Sequence, residues 1–133
     1  MAEDQRIPIA HESDIVTARR ASRDVAASLG FSSGELAVIA TAISEIARNI
    51  VVYAKRGDIS LELVEKNGRR GIRVVAVDHG PGIRDVQLAM RDGYSTSRGL
   101  GLGLPGAQRL MDEFEISSEV ERGTTITMIK WGR

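Results

Sequence analysis

An α/β fold of two layers is predicted by three observations on this chain. Apolar residues recur at helical spacing through residues 14–50, and strand-like alternation takes over from residue 59. The length of 133 residues suits one domain, large enough to bury a two-layer core. A single domain over residues 1–133 is therefore expected, with no separate sensor and with regulation arriving through partners.

The elements follow in order. Residues 6–10 read as a short strand that Pro8 confines to an edge or an end. Residues 14–29 read as a helix with Ser13 as N-cap, Ile15, Val16, Val25, Ala26 and Leu29 as its apolar stripe, and Gly30 to end it. A second helix opens on Ser32 with Glu35 three residues later, the pattern of a capping box, and is expected to run to about Tyr53. Thr41, Glu45, Arg48 and Asn49 lie among or beside its apolar positions, which aims polar groups at the sheet side or its margin.

From Asp58 the pattern is β. Ile59, Leu61 and Leu63 alternate with polar residues, Asn67-Gly68 makes a turn, and residues 72–77 return as a strand apolar enough to be central and covered on at least one face. Residues 83–90 form a weaker helical stretch, and residues 92–99 are loop formers, a candidate lid. A helix over 102–111 and two strands, 113–121 and 124–131, complete the chain.

Composition narrows the function. With 18 Lys+Arg against 18 Asp+Glu there is no basic field to hold a phosphate backbone, so nucleic acid is not an expected ligand. The absence of cysteine removes disulfides, thiolate metal sites and cysteine nucleophiles. No signal core is read at the N-terminus and no later run of about 18 apolar residues is seen, so the expectation is a cytoplasmic protein without a membrane partner.

Three segments carry chemistry: Glu45-x-x-x-Asn49, Asp78-His79-Gly80-Pro81-Gly82, and Gly99-Leu100-Gly101-Leu102-Gly103-Leu104. Glu45 and Asn49, one helical turn apart, offer a carboxylate to take a proton and an amide oxygen of the kind a divalent cation accepts. Asp78, after an apolar run and before two glycines, suits an acceptor for an exocyclic amine such as adenine's, with Gly80 and Gly82 letting the backbone approach a planar ring. The glycine-rich run leads into a helix, so bare N–H groups and a helix N-terminus can face phosphate oxygens. Each segment alone has an ordinary reading as turn or surface helix; together they describe a nucleotide site. The P-loop is excluded because no Gly-Lys-Ser or Gly-Lys-Thr occurs, and the dinucleotide fingerprint because the glycines do not open the first helix after a strand. Thr124 after Gly123 offers a further hydroxyl. Arg98 beside the glycine run could reach a γ-phosphate or an acidic partner, or be solvated. His79 is expected in solvent, and Tyr53 and Trp131 in the core or at a sheet edge.

In this order, Glu45 and Asn49, Asp78-x-Gly80-x-Gly82, Gly99-x-Gly101-x-Gly103 and Gly123-Thr124 resemble the Bergerat-type ATP-binding domain shared by GHKL ATPases and kinases. Residues 42–50, 92–97, 103–106 and 110–114 are similar to the small stand-alone bacterial serine/threonine kinases of the anti-sigma and stressosome type, and most of all to their switch-kinase branch. The resemblance implies an α/β two-layer sandwich, a mixed, mostly antiparallel sheet covered by helices on one face. It implies ATP and Mg²⁺ as cofactors, with Glu45 as catalytic base, Asn49 as Mg²⁺ ligand and Asp78 on adenine. Gly80, Gly82, Gly99, Leu100, Gly101, Leu102, Gly103, Leu104 and Thr124 would surround the nucleotide. Substrates would be serine or threonine residues of STAS-domain scaffold or antagonist proteins in a stress-response partner-switching module. The kinase would then be released to activate a downstream output protein. The competing expectation is a nucleotide-controlled module that sequesters a partner, such as a sigma factor, without needing catalysis.

Overall fold

Residues 4–83, 90 and 103–132 are described by the computed structural model. Strand β1 (Gln5–Ile9) is followed by helix α1 (Glu12–Ala26), which tightens into a 3₁₀ turn at Ala27–Leu29, and by helix α2 (Ser33–Asn49), which widens into a π turn at Ile50–Ala54. Strands β2 (Gly57–Lys66) and β3 (Arg69–Asp78) form a hairpin; helix α3 (Gly103–Leu110) and the β4 (Glu113–Glu119) and β5 (Gly123–Trp131) hairpin close the fold. The expected weaker helix over 84–89, the lid candidate and Arg98 lie outside the described residues.

The sheet order is β1-β2-β3-β5-β4, and every described pair is antiparallel. The β2–β3 turn is two residues long, Asn67 at φ 52 and Gly68 at φ 79, the double positive φ that matches the twist of the flanking strands. β3 is central as expected, and among the described residues one of its faces is covered: Ile72, Val74 and Ala76 are buried, whereas Val75 and Val77 are half-buried. Pro8 sits on the β1 edge, where its missing N–H costs no ladder bond. The other edge, β4, carries Glu113, Glu115 and Glu119, charges that disfavour pairing with another chain.

All three helices lie on the covered face. α2 packs between α1 and α3, and Ile39, Ile43, Ile46 and Ala47 meet Ile7, Ile9, Ile59, Leu61, Ile72, Val74, Ile126 and Met128 in one core. Contrary to the expectation of no such run, the helix Ser33–Ala54 reaches a mean hydropathy of 1.5 over 18 residues, enough by length and composition to cross a bilayer, with half of that window buried in this core.

The helix ends show where local signals hold. Ser32 caps α2 as expected, with Glu35 N to Ser32 Oγ at 3.1 Å and Ser32 N to Glu35 Oε1 at 3.0 Å. For α1, His11 rather than Ser13 is the cap residue: Asp14 turns back to accept from the N–H groups of His11 and Ala10, both at 2.8 Å, so the helix starts two residues early. α2 keeps α geometry to Asn49 and continues as the π turn to Ala54, so the helix ends about where expected, near Tyr53, with a widened last turn. Tyr53 is 45 % exposed rather than in the core or at a sheet edge, and Thr41, expected at the sheet margin, faces solvent and donates to Ala37 O.

Candidate active site

The covered face of the sheet is built of cross-strand rows. One row runs Ile7, Ile59, Ala76, Ile126 and Ile116, all apolar; the next runs Ile9, Gly57, Asp78, Thr124 and Ser118. Polar groups therefore enter the covered face at its last row, where β3 ends. Asp78 and Thr124, far apart in sequence, are direct cross-strand neighbours there.

Residues 78–82 follow β3 as a tight turn. Asp78 Oδ1 accepts from Gly80 N at 2.9 Å, and Oδ2 makes no hydrogen bond to a described residue. Each motif glycine fits protein as much as ligand. A Cβ on Gly80 would overlap Ala54 of the π turn, one on Gly82 (φ 76) the carbonyl of Glu119, and one on Gly123 (φ 117) the carbonyl of Asp78. The close approaches present in the structure thus pin the turn between the end of α2 and the β4–β5 hairpin. Glu121 N to Pro81 O at 2.7 Å and Ile83 N to Ser118 Oγ at 2.7 Å complete the attachment. His79, at the crest, is exposed as expected.

On α2, Glu45 is 8 % exposed, an unusual burial for a carboxylate, and Asn49 one turn on is half-buried. Arg48 Nη1 donates to Glu45 Oε1 at 3.2 Å, which fixes the orientation of the carboxylate. Among the described residues no three His, Cys, Asp or Glu side chains gather as a metal cage. A single amide donor suits Mg²⁺, which keeps waters and phosphate oxygens around itself and takes few protein ligands.

The third segment is described only from Gly103. Gly103 opens α3, and Leu104 is buried in the core, so any contact of Leu104 with phosphate would come from its backbone N–H rather than its side chain. Pro105, in the first turn, lacks an N–H that would have had no intrahelical partner. Gly99, Leu100, Gly101 and Leu102 lie outside the described residues. α3 packs on α2, and α2 reaches turn 78–82 through Ala54, so one helix borders both of the other segments. Trp131, expected in the core or at a sheet edge, lies in β5 with its indole N–H on Glu113 Oε2 at 2.7 Å and Arg69 over its ring.

Sequence reasoning missed Ser118. Its position opposite Thr124 depends on the β4–β5 register, and an isolated serine in a strand carries no signal.

Comparison with known proteins places the chain as a whole. The chain is 50 % identical over its full length, and over the full length of the relative, to serine/threonine-protein kinase RsbT of Bacillus subtilis. It is 33 % identical over 112 residues to an anti-sigma F factor of Caldanaerobacter subterraneus, covering 80 % of this chain and 77 % of that one. A solved structure, the SiaB–SiaC complex of Pseudomonas aeruginosa, shares the fold at a TM-score of 0.57 and 13 % identity, over 96 % of this chain and 88 % of that one. The model of the histidine kinase-like ATPase domain matches residues 9–130. With that match over most of its length and the full-length relative beside it, the chain belongs to the histidine kinase-like ATPase domain family.

Proposed function

We propose that this chain is a serine/threonine protein kinase that transfers the γ-phosphate of ATP to a hydroxyl of a partner protein. The observation that carries this reading is Glu45: a carboxylate 8 % exposed, oriented by Arg48 and one helical turn before Asn49. The 50 % identity to RsbT supports the same activity. Glu45 takes the proton of the attacking serine or threonine hydroxyl as its oxygen bonds to phosphorus and the ADP oxygen leaves. Asp78 accepts from the adenine amine, and the first-turn N–H groups of α3 face phosphate oxygens. Asn49 would hold Mg²⁺, which when bound offsets the charge on the transferring phosphoryl group.

The substrate we assign is a STAS-domain scaffold or antagonist in a cytoplasmic, stressosome-type partner-switching module, with a downstream output protein engaged after phosphorylation. The 31–33 % identity to several anti-sigma F factors favours a second reading, nucleotide-controlled sequestration of a partner. Labelled ATP and Mg²⁺ with candidate STAS-domain proteins, run beside Glu45→Gln, separates them. Label on a partner serine or threonine that is lost in Glu45→Gln supports the kinase. A stable complex with bound ATP and no label in either protein supports sequestration and ends the kinase reading.

A further inference from the structure

Ser118 stands at the junction of the site with three hydrogen-bond partners and one proton. Its Oγ lies 2.7 Å from Ile83 N, 3.1 Å from Gly123 O and 2.8 Å from Thr124 Oγ1. The Ile83 amide donates and the Gly123 carbonyl accepts, so Ser118 has one proton to give, to Gly123 or to Thr124. If it goes to Gly123, Thr124 donates to Ser118 and shows only lone pairs to a ligand. If it goes to Thr124, the Thr124 proton is released toward the ligand. Thr124 is 8 % exposed and is the cross-strand neighbour of Asp78, and among the described residues the hydroxyl of Ser118 is its hydrogen-bond partner.

We propose that Ser118 is a positioning residue for purine discrimination: it sets the donor or acceptor character of the Thr124 hydroxyl and, through the Ile83 amide, seats the turn that carries Asp78. On their Watson–Crick edges adenine and guanine present opposite patterns, a ring acceptor with an amine in one and a ring N–H donor with a carbonyl in the other. With the Ser118 proton on Thr124, the Thr124 hydroxyl donates outward and suits the adenine ring acceptor. With it on Gly123, the hydroxyl offers only lone pairs and suits the guanine N–H, so Ser118 biases the choice between them. The inference rests on the reading that Asp78 and Thr124 face a purine.

The test is competition of ATP and GTP against a fluorescent ATP analogue on the full chain, for the wild type, Ser118→Ala, Ser118→Thr, Thr124→Val, Asp78→Asn and the double variant Ser118→Ala/Thr124→Val. Ser118→Ala is expected to lower the ATP-over-GTP affinity ratio about tenfold, Ser118→Thr to restore most of it, and the double variant to lose no more than Thr124→Val alone, as for residues acting as one unit. Partial unfolding would weaken both nucleotides alike and leave the ratio unchanged. A ratio within twofold of wild type in Ser118→Ala, with Asp78→Asn lowering it, overturns this role and leaves the site reading intact. A wild type without preference for ATP, or an Asp78→Asn variant that keeps it, overturns the placement of the purine and this inference with it.

Discussion

The two halves of the candidate site are made by different means. The helical half, Glu45 and Asn49, is a spacing of i and i+4 on one element, with Arg48 on the same helix paired to Glu45. The strand half, Asp78 with Thr124, is made by sheet register and by three glycines whose absent Cβ atoms admit Ala54, Glu119 and the Asp78 carbonyl. The first can lose a side chain and keep its shape. The second cannot gain even a methyl group without moving backbone. Chemistry is thus placed on the tolerant half and geometry on the intolerant one.

The largest expected effect tests the tolerant half. Glu45→Gln should reduce phosphotransfer about 10²–10⁴-fold, the range of a general base, with ATP affinity within about twofold of wild type. A loss of ATP binding equal to the loss of transfer would show that Glu45 shapes the site rather than acting in it. Next, the intolerant half: Gly123→Ala should cost about 3 kcal/mol in urea unfolding, because positive φ and overlap with the Asp78 carbonyl act together. Gly30→Ala provides the contrast. Its φ of 76 is left-handed helical and milder than the φ of 117 at Gly123, and nothing lies within 4 Å of the added Cβ, so about 1–2 kcal/mol is expected. Equal costs at the two positions would remove the steric account of the strand half.

Smaller effects probe the helices that carry the tolerant half. Ser32→Ala removes the acceptor for the Glu35 N–H and should cost about 1 kcal/mol of stability. At α1, the N–H groups of Ala10 and His11 hold the Asp14 carboxyl below its ordinary value. A group depressed in the folded state contributes stability that is present above the unfolded pKa of about 3.9 and is lost as pH falls through the lower folded value. Asp14→Asn should therefore flatten the loss of thermal midpoint below about pH 4. An unchanged acid limb would mean that Asp14 does not cap α1 in solution.

Legibility followed the same division. The capping box at Ser32, the Asn67-Gly68 hairpin, the edge position of Pro8 and the central β3 were read correctly because each depends on residues a few positions apart. The α1 cap was misplaced because Ser13 is a good cap residue in isolation, yet Asp14 can reach two N–H groups of the preceding chain and pulls the helix start to His11. The π turn that ends α2 carries no sequence mark, since widening a helix is settled by what packs beside it, here Gly80 against Ala54.

The sequence by itself determined the elements, the apolar face of each and the pairing of Glu45 with Asn49, because helical and strand periods are properties of neighbouring residues. Only the tertiary structure decided that Asp78, Thr124 and Ser118 form one row across three strands, that Gly80 and Gly82 meet protein where they pack, and that Leu104 turns into the core. Register between distant strands is set by the summed burial of whole faces, and no single residue of the row announces it.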